Sequence, residues 1–296
     1  MIKIKLYALI LCLGCCVTLC TTAFARSYDD IIESKEISVA VYRDFVPFSY
    51  VENEKEKGID IEIAKYIAKQ LGVQLKIRWM TADENVEDDL RNNLWKGHFL
   101  NRTVADLMLR VPYDKNYTQL RDDIGELVHE QVHMFAPYHT ESWKIIFNNK
   151  KIDSVETMAT FQYHNIGVEV DSIPQFYLMS AFNGRMRNKT KHFPSLELAI
   201  SAMDKNEVDA VMGLQSQITH YQNQLAAPSY QLATNAFPMI GRQQWDIGMA
   251  VKSDYRQLGY VIGDIVESMV KQGVMKQIFS KYNAEYKTPN LYSIAN

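Results

Sequence analysis

Apolar positions along this chain alternate between short continuous runs and longer stretches of helical spacing. Ile37–Val41 is a short run rich in branched residues and predicts a buried strand. Asp44, Pro47 and the aromatics Phe45, Phe48 and Tyr50 follow in a loop, and the polar run Glu52–Gly58 predicts a turn. Ile61, Ile63, Ala64, Ile67, Ala68 and Leu71 then recur at helical spacing, with Glu62, Lys65 and Lys69 on the other side. Asp60 can cap this helix, and Gly72 is a natural stop. Val73–Trp79 alternates and returns as a second strand, which completes one βαβ unit.

The same alternation continues along the chain. Ser27–Lys35 predicts a short helix ahead of the first strand. Val86, Leu90 and Leu94 stand four apart, so Asn85–Trp95 reads as a helix ending at Gly97, before a strand at Ala105–Leu109. Leu127–Phe135 alternates in part and reads as a strand, as does His164–Val170. Ser172 as N-cap with Pro174 just inside marks the start of a helix. Leu196, Ala199, Ile200 and Met203 lead into a strand at Val208–Met212. Ile247–Val251 is the last strand, and Leu258, Val261, Ile262, Ile265 and Met269 share one helical face. Gly273 breaks that run before Val274–Tyr282.

The opening unit resembles the N-terminus of the family 3 bacterial extracellular solute-binding proteins. Their opening strand, "PF" loop, "G-hydrophobic-D" turn and amphipathic helix match Val39–Val41, Pro47–Phe48, Gly58–Asp60 and Ile61–Leu71. The remaining chain can be laid on the same plan. The resemblance implies the periplasmic-binding-protein type 2 architecture: two α/β lobes, each a mostly parallel sheet flanked by helices, joined by two crossing segments. Lobe 1 would be discontinuous, 26–135 plus 240–296, and lobe 2 would be 136–239, with Leu127–Phe135 and Ile247–Val251 as crossings. In the family the turn before the third strand is short, whereas here Gly97 and Asp106 are nine apart. His98–Val104 therefore reads as an insertion.

Composition narrows the setting. Met1–Lys5 carries two lysines, an apolar run reaches Leu19, and Ala23-Phe24-Ala25 is an A-x-A site, which predicts a secretory signal peptide over 1–25. An uncleaved anchor, or lipoprotein processing at Cys15, Cys16 or Cys20, are the other readings of this segment. All four cysteines fall within it, so the mature chain cannot form disulfides despite export. Losing Lys3 and Lys5 takes the formal charge from −3 to −5, which argues against a nucleic-acid partner. No second long apolar segment follows, so no membrane span is expected after cleavage, and the expected location is the periplasm.

In open α/β sheets ligands gather beyond the carboxyl ends of strands. That rule selects Asp44, Phe45, Phe48 and Tyr50 after the first strand, and Arg110, Tyr113, Asp114 and Lys115 after Ala105–Leu109. It also selects Asp171 and Ser172, and, after Val208–Met212, Gly213, Leu214, Gln215 and Gln217. An aromatic can stack on a flat ligand, Arg110 can clamp a carboxylate, and free N–H groups near Ser172 can hold an anion. Amino-acid binders of the family carry T-x-x-R after the third strand, and the arginine grips the ligand carboxylate. Here those positions hold Lys115 and Thr118, and the family's acidic position after the later strand holds Leu214. The expected ligand is therefore a small molecule other than an ordinary amino acid, bound without catalysis, metal or cofactor.

The partner implied by the family is an ABC permease. The run LWKGHFLNRTVADLMLRVPYD also resembles periplasmic accessory proteins of quinoprotein alcohol dehydrogenases, which implies a dehydrogenase partner instead. A third alternative is a zinc hydrolase, because His129-Glu130-Gln131-Val132-His133 fits H-E-x-x-H. Its flanks favour a strand, which would set the two histidines roughly 13 Å apart, too far for one zinc.

Overall fold

The computed structural model describes residues 25–100, 102–225 and 228–293, so the expected signal segment lies outside them apart from Ala25. Helix α1 (Tyr28–Ser34) begins at Ser27, whose hydroxyl accepts from the Asp30 N–H while Asp30 returns a bond to the Ser27 N–H. Strand β1 (Glu36–Tyr42) follows, then a hairpin of β2 (Tyr50–Glu52) and β3 (Lys55–Lys57) where a plain turn was expected. Helix α2 (Ile59–Leu71) ends on Gly72 in the left-handed region, and β4 (Gln74–Met80) pairs parallel to β1.

Asp60 does not cap α2. Gly58 occupies that position at φ 124°, where a Cβ would strike the Phe48 carbonyl, and Asp60 turns inward from the first turn to full burial. The expected Asn85–Trp95 helix is α3 (Val86–Leu90) followed by a π-helical turn, Arg91–Trp95. The next strand, β5 (Leu107–Tyr113), starts and ends later than expected, because β11 (Gln244–Lys252) pairs along it as far as Tyr113. A short helix α4 (Lys115–Thr118) follows. The first crossing strand is also displaced: Val128–Gln131 is turn, and β6 runs from Val132 to Asn148. His129 therefore sits in a turn and His133 on β6, so the strand expected through both holds only for the second.

The later part contains β7 (Ile166–Glu169), α5 (Ile173–Gly184), β8 (Thr190–Phe193), α6 (Leu196–Asp204), β9 (Ala210–Leu214), α7 (Gln215–Gln222) and β10 (Tyr230–Leu232). After β11 come α8 (Arg256–Lys271) and α9 (Val274–Lys281), parted at Gly273 as the sequence predicts. Among the described residues a nine-stranded sheet runs β4-β1-β5-β11-β6-β9-β7-β8, with β10 also on β6. Pairing is parallel at both ends, β4-β1-β5 and β9-β7-β8, and antiparallel around β11 and β6.

Apolar burial is divided along the same lines. One cluster gathers Ile37, Val39, Ile63, Ile67, Tyr138, Met249, Ile262 and Phe279 between β1, α2, α8 and α9. Others gather Ile145, Phe161, Val168, Leu178 and Met212, or Ile146, Ile200, Met203 and Ile218, around the second parallel group. The change of cluster falls between Tyr138 and Trp143 on β6. Each half thus has its own core, and one 17-residue strand runs through both.

Candidate ligand cleft

Register fixes where the halves meet. Tyr113, at the end of β5, pairs with Asp246, which pairs in turn with Thr140 of β6. Leu214, at the end of β9, pairs with Trp143 of β6. The carboxyl tips of strands from both halves therefore converge on the middle of one strand, where ligands of open sheets collect.

Two cavities open along this seam. One, of about 580 Å³, is lined by Tyr42–Phe45 beyond β1, Thr81–Val86 beyond β4, Asp89, and Glu169 at the end of β7. The other, of about 280 Å³, is lined by Pro112, Tyr113, Asp114 and Tyr117 beyond β5, by Trp143, and by Ile173, Ile240, Arg242 and Trp245. Tyr117 connects their walls: its ring lies in the second, and its hydroxyl donates to Glu87 on α3 at 3.0 Å. In the first, Tyr42 donates to Asp89 at 2.8 Å, and burial raises the Asp89 carboxyl above its ordinary pKa.

Of the residues selected from sequence, Asp44 and Phe45 line the larger cavity and Tyr113 and Asp114 the smaller. Asp114 caps α4, accepting from the Asn116 and Tyr117 N–H groups, and grips Arg242 through both oxygens at 3.0 Å. The Arg242 guanidinium holds the Asp114 carboxyl below the usual carboxylate range. Lys115 opens α4. Ser172 is spent as the cap of α5, accepting from the Gln175 N–H while donating to the Glu169 carbonyl. Asp171 is exposed at φ 56°, its N–H donating to Gln175 Oε1. Gln215 opens α7 and accepts from the Ser142 hydroxyl at 2.7 Å. Tyr50 lines a separate groove with His220, Lys281 and Tyr282.

Phe48 and Arg110 are drawn inside rather than displayed at the cleft. Arg110 has φ 60° and is the unpaired residue of a β-bulge, since Gly248 pairs with Val111 and Met249 with Leu109. The bulge turns its side chain inward to 5% exposure. There the guanidinium carbon sits 3.5 Å from the centre of the buried Phe48 ring, with Asp60 at 3.9 Å and Glu141 at 3.8 Å. Asp60 also accepts from the Tyr138 hydroxyl at 3.0 Å. Glu141 accepts from the Ser216 N–H and hydroxyl and lies 3.6 Å from His139. Burial pushes the Asp60 carboxyl up to about 6 against the pull of Arg110. Burial also acts against Glu141, but His139, Arg110 and Ser216 together keep it below its ordinary value. Both carboxylates stand beyond hydrogen-bond distance of the guanidinium, and Arg110 Nη1 and Asp60 Oδ2 are buried without a hydrogen-bond partner among the described residues.

Sequence reasoning missed Trp143, Ile173, Ile240, Arg242 and Trp245. The available signal was an aromatic on each crossing strand, Trp143 on β6 and Trp245 on β11. His129 and His133 line neither cavity; burial lowers the pKa of both, and no group of three possible metal ligands occurs among the described residues.

This is the mixed α/β architecture of type 2 solute-binding proteins, and solved structures carry the same fold. An ancestral cationic amino acid solute-binding protein superimposes with a TM-score of 0.65 at 17% identity, over 86% of this chain and 98% of its own. The amino acid ABC transporter substrate-binding protein AbpA from Streptococcus pneumoniae, bound to L-arginine, gives 0.60 at 20% identity, over 87% and 99%. The solute receptor for L-cysteine of Neisseria gonorrhoeae gives 0.59 at 19%, over 87% and 93%. A sequence profile of the bacterial extracellular solute-binding proteins, family 3, matches residues 37–95, and the resemblance read from Val39–Leu71 is borne out. A search of curated proteins found no match.

Proposed function

We propose that the chain is a periplasmic solute-binding protein that captures a small molecule in the seam between its halves and presents it to an ABC permease. The observation that supports this most is the convergence of strand tips: Asp44 and Phe45 face Glu169 in one cavity, and Tyr113 and Asp114 face Ile173 in the other. A molecule touching both sides favours the closed arrangement by its differential affinity for it. Of the charged groups at the seam, Asp114 and Arg242 are paired with each other, while Arg43, Asp44, Glu84 and Glu169 face the larger cavity.

The ligand differs from the amino acids bound by the similar structures. Arg110 is buried between Asp60 and Glu141, Asp114 is paired with Arg242, and the family's anchoring arginine position holds Thr118. The test is mass spectrometry of the small molecules released from protein purified from its own host, followed by thermal unfolding with the compound returned. A hundredfold excess over Kd is expected to raise Tm by roughly 5–10 °C. Recovery of no compound, together with co-purification of a dehydrogenase, would replace this reading by the accessory role.

A further inference from the structure

We infer that the cavity beyond β5 takes a flat, uncharged molecule of about one aromatic ring, an inference that rests on the solute-capture reading and specifies its ligand. Three observations carry it. Tyr113, Tyr117, Trp143 and Trp245 supply four aromatic rings, and Ile173 and Ile240 close the wall from the other half. The two indoles stand 4.7 Å apart at 48°, a tilted pair that presents ring carbon to the space. A cavity of about 280 Å³ has room for one small ring system.

Most polar groups of this wall already have partners among the described residues, the Tyr113 hydroxyl and Trp245 Nε1 excepted. Trp143 Nε1 donates to the Arg242 carbonyl at 3.0 Å, and the Tyr117 hydroxyl donates to Glu87. Asp114 and Arg242 neutralise one another through two contacts of 3.0 Å. An anionic ligand would compete with Asp114 for Arg242, and a cationic one with Arg242 for Asp114. A neutral ring leaves the pair intact and covers apolar surface that is now wet, including Ile173, which is 55% exposed. Specificity against charge thus comes from a rim whose ions are mutually spent.

Methyl benzoate and benzoate differ mainly in charge, so they separate the possibilities. Ligand-observed saturation-transfer NMR on the mature protein is expected to show methyl benzoate bound at least fivefold more tightly than benzoate, with L-arginine failing to compete. Trp245→Ala should weaken methyl benzoate about tenfold. Ile173→Ser, at a position exposed enough to leave folding alone, should weaken it about threefold. Tighter binding of benzoate or L-arginine, no transfer to methyl benzoate, or binding indifferent to both substitutions would overturn the inference. An apolar polypeptide partner seated here would show as the last two results. Closure on a charged compound would remove only this assignment, whereas the absence of any closing ligand would remove the solute-capture reading itself.

Discussion

Arg110 is the residue on which both halves lean. It emerges from β5 at φ 60°, stacks on Phe48, and stands between Asp60 of α2 and Glu141 of β6. Glu141 continues to Ser216 on α7, so this buried group joins the crossing strand to the second half. Its pH dependence has a definite sign. The folded chain holds the Asp60 proton up to about 6, whereas the unfolded value is 3.8. The stabilisation from that proton is complete below the unfolded value and is lost as pH climbs to the folded one. Glu141 acts oppositely: its contribution is present above its ordinary value and lost as pH falls through the depressed one. Asp60→Asn cannot titrate, so the stability difference between wild type and variant should shift by about 2 kcal/mol between pH 4 and 6.5, in the variant's favour at the higher pH. Denaturant unfolding at several pH values reads this directly, and a constant difference across the window would contradict it. None of these partnerships was legible in the sequence, because Asp60, Arg110, Glu141 and Ser216 lie on four separate elements. Only folding brings them together, and a lone arginine after a strand reads equally well as a ligand clamp.

At the scale of elements, Gly248 organises the centre of the sheet. On one side β5 bulges at Arg110; on the other, Ile247 pairs with His139 and Met249 with Phe135, so Ala136–Tyr138 bulge toward the same point. The two bulges aim Arg110 and Tyr138 into one buried space with Asp60. A Cβ at Gly248 would lie 2.7 Å from the Phe135 carbonyl oxygen and 3.2 Å from the Tyr113 side chain. Gly248→Ala should therefore cost about 1–3 kcal/mol and broaden amide signals at Arg110 and Tyr138, as unfolding and NMR would show. Unchanged stability would mean that the bulges are not held by this contact.

The elements themselves were largely readable, since their signals are local. The Ile61–Leu71 spacing gave the helix, Gly72 and Gly273 its kind of stop, and Ser172 with Pro174 the start of α5. The failures follow from pairing: β5 is extended by β11, and β6 by β11, β9 and β10, all partners far along the chain. Asp60 looked like a cap because its demand for Arg110 and Tyr138 is invisible from its own segment.

On the scale of the molecule, two halves with their own apolar clusters share one long strand and a second returning beside it. The contacts between halves are both apolar and polar: Leu214 packs against the first core, and Val46 against a cluster of the second half. The Gln217 side-chain amide donates to the Val46 carbonyl at 2.8 Å, and Arg242 reaches Asp114 from the returning segment. Such contacts can break and reform, while β6 and β11 remain paired. The expected ligand region was legible as strand tips, and Asp44, Phe45, Tyr113 and Asp114 do line the seam. Its apolar character was not, because Trp143, Ile173, Ile240 and Trp245 meet only when the crossing strands bring both halves to the same place. Small-angle scattering of residues 26–296, with and without the molecule that co-purifies, measures this arrangement as a whole. The expected result is a bilobed profile whose radius of gyration falls when the ligand is added. A saturating ligand that leaves the profile unchanged would contradict it.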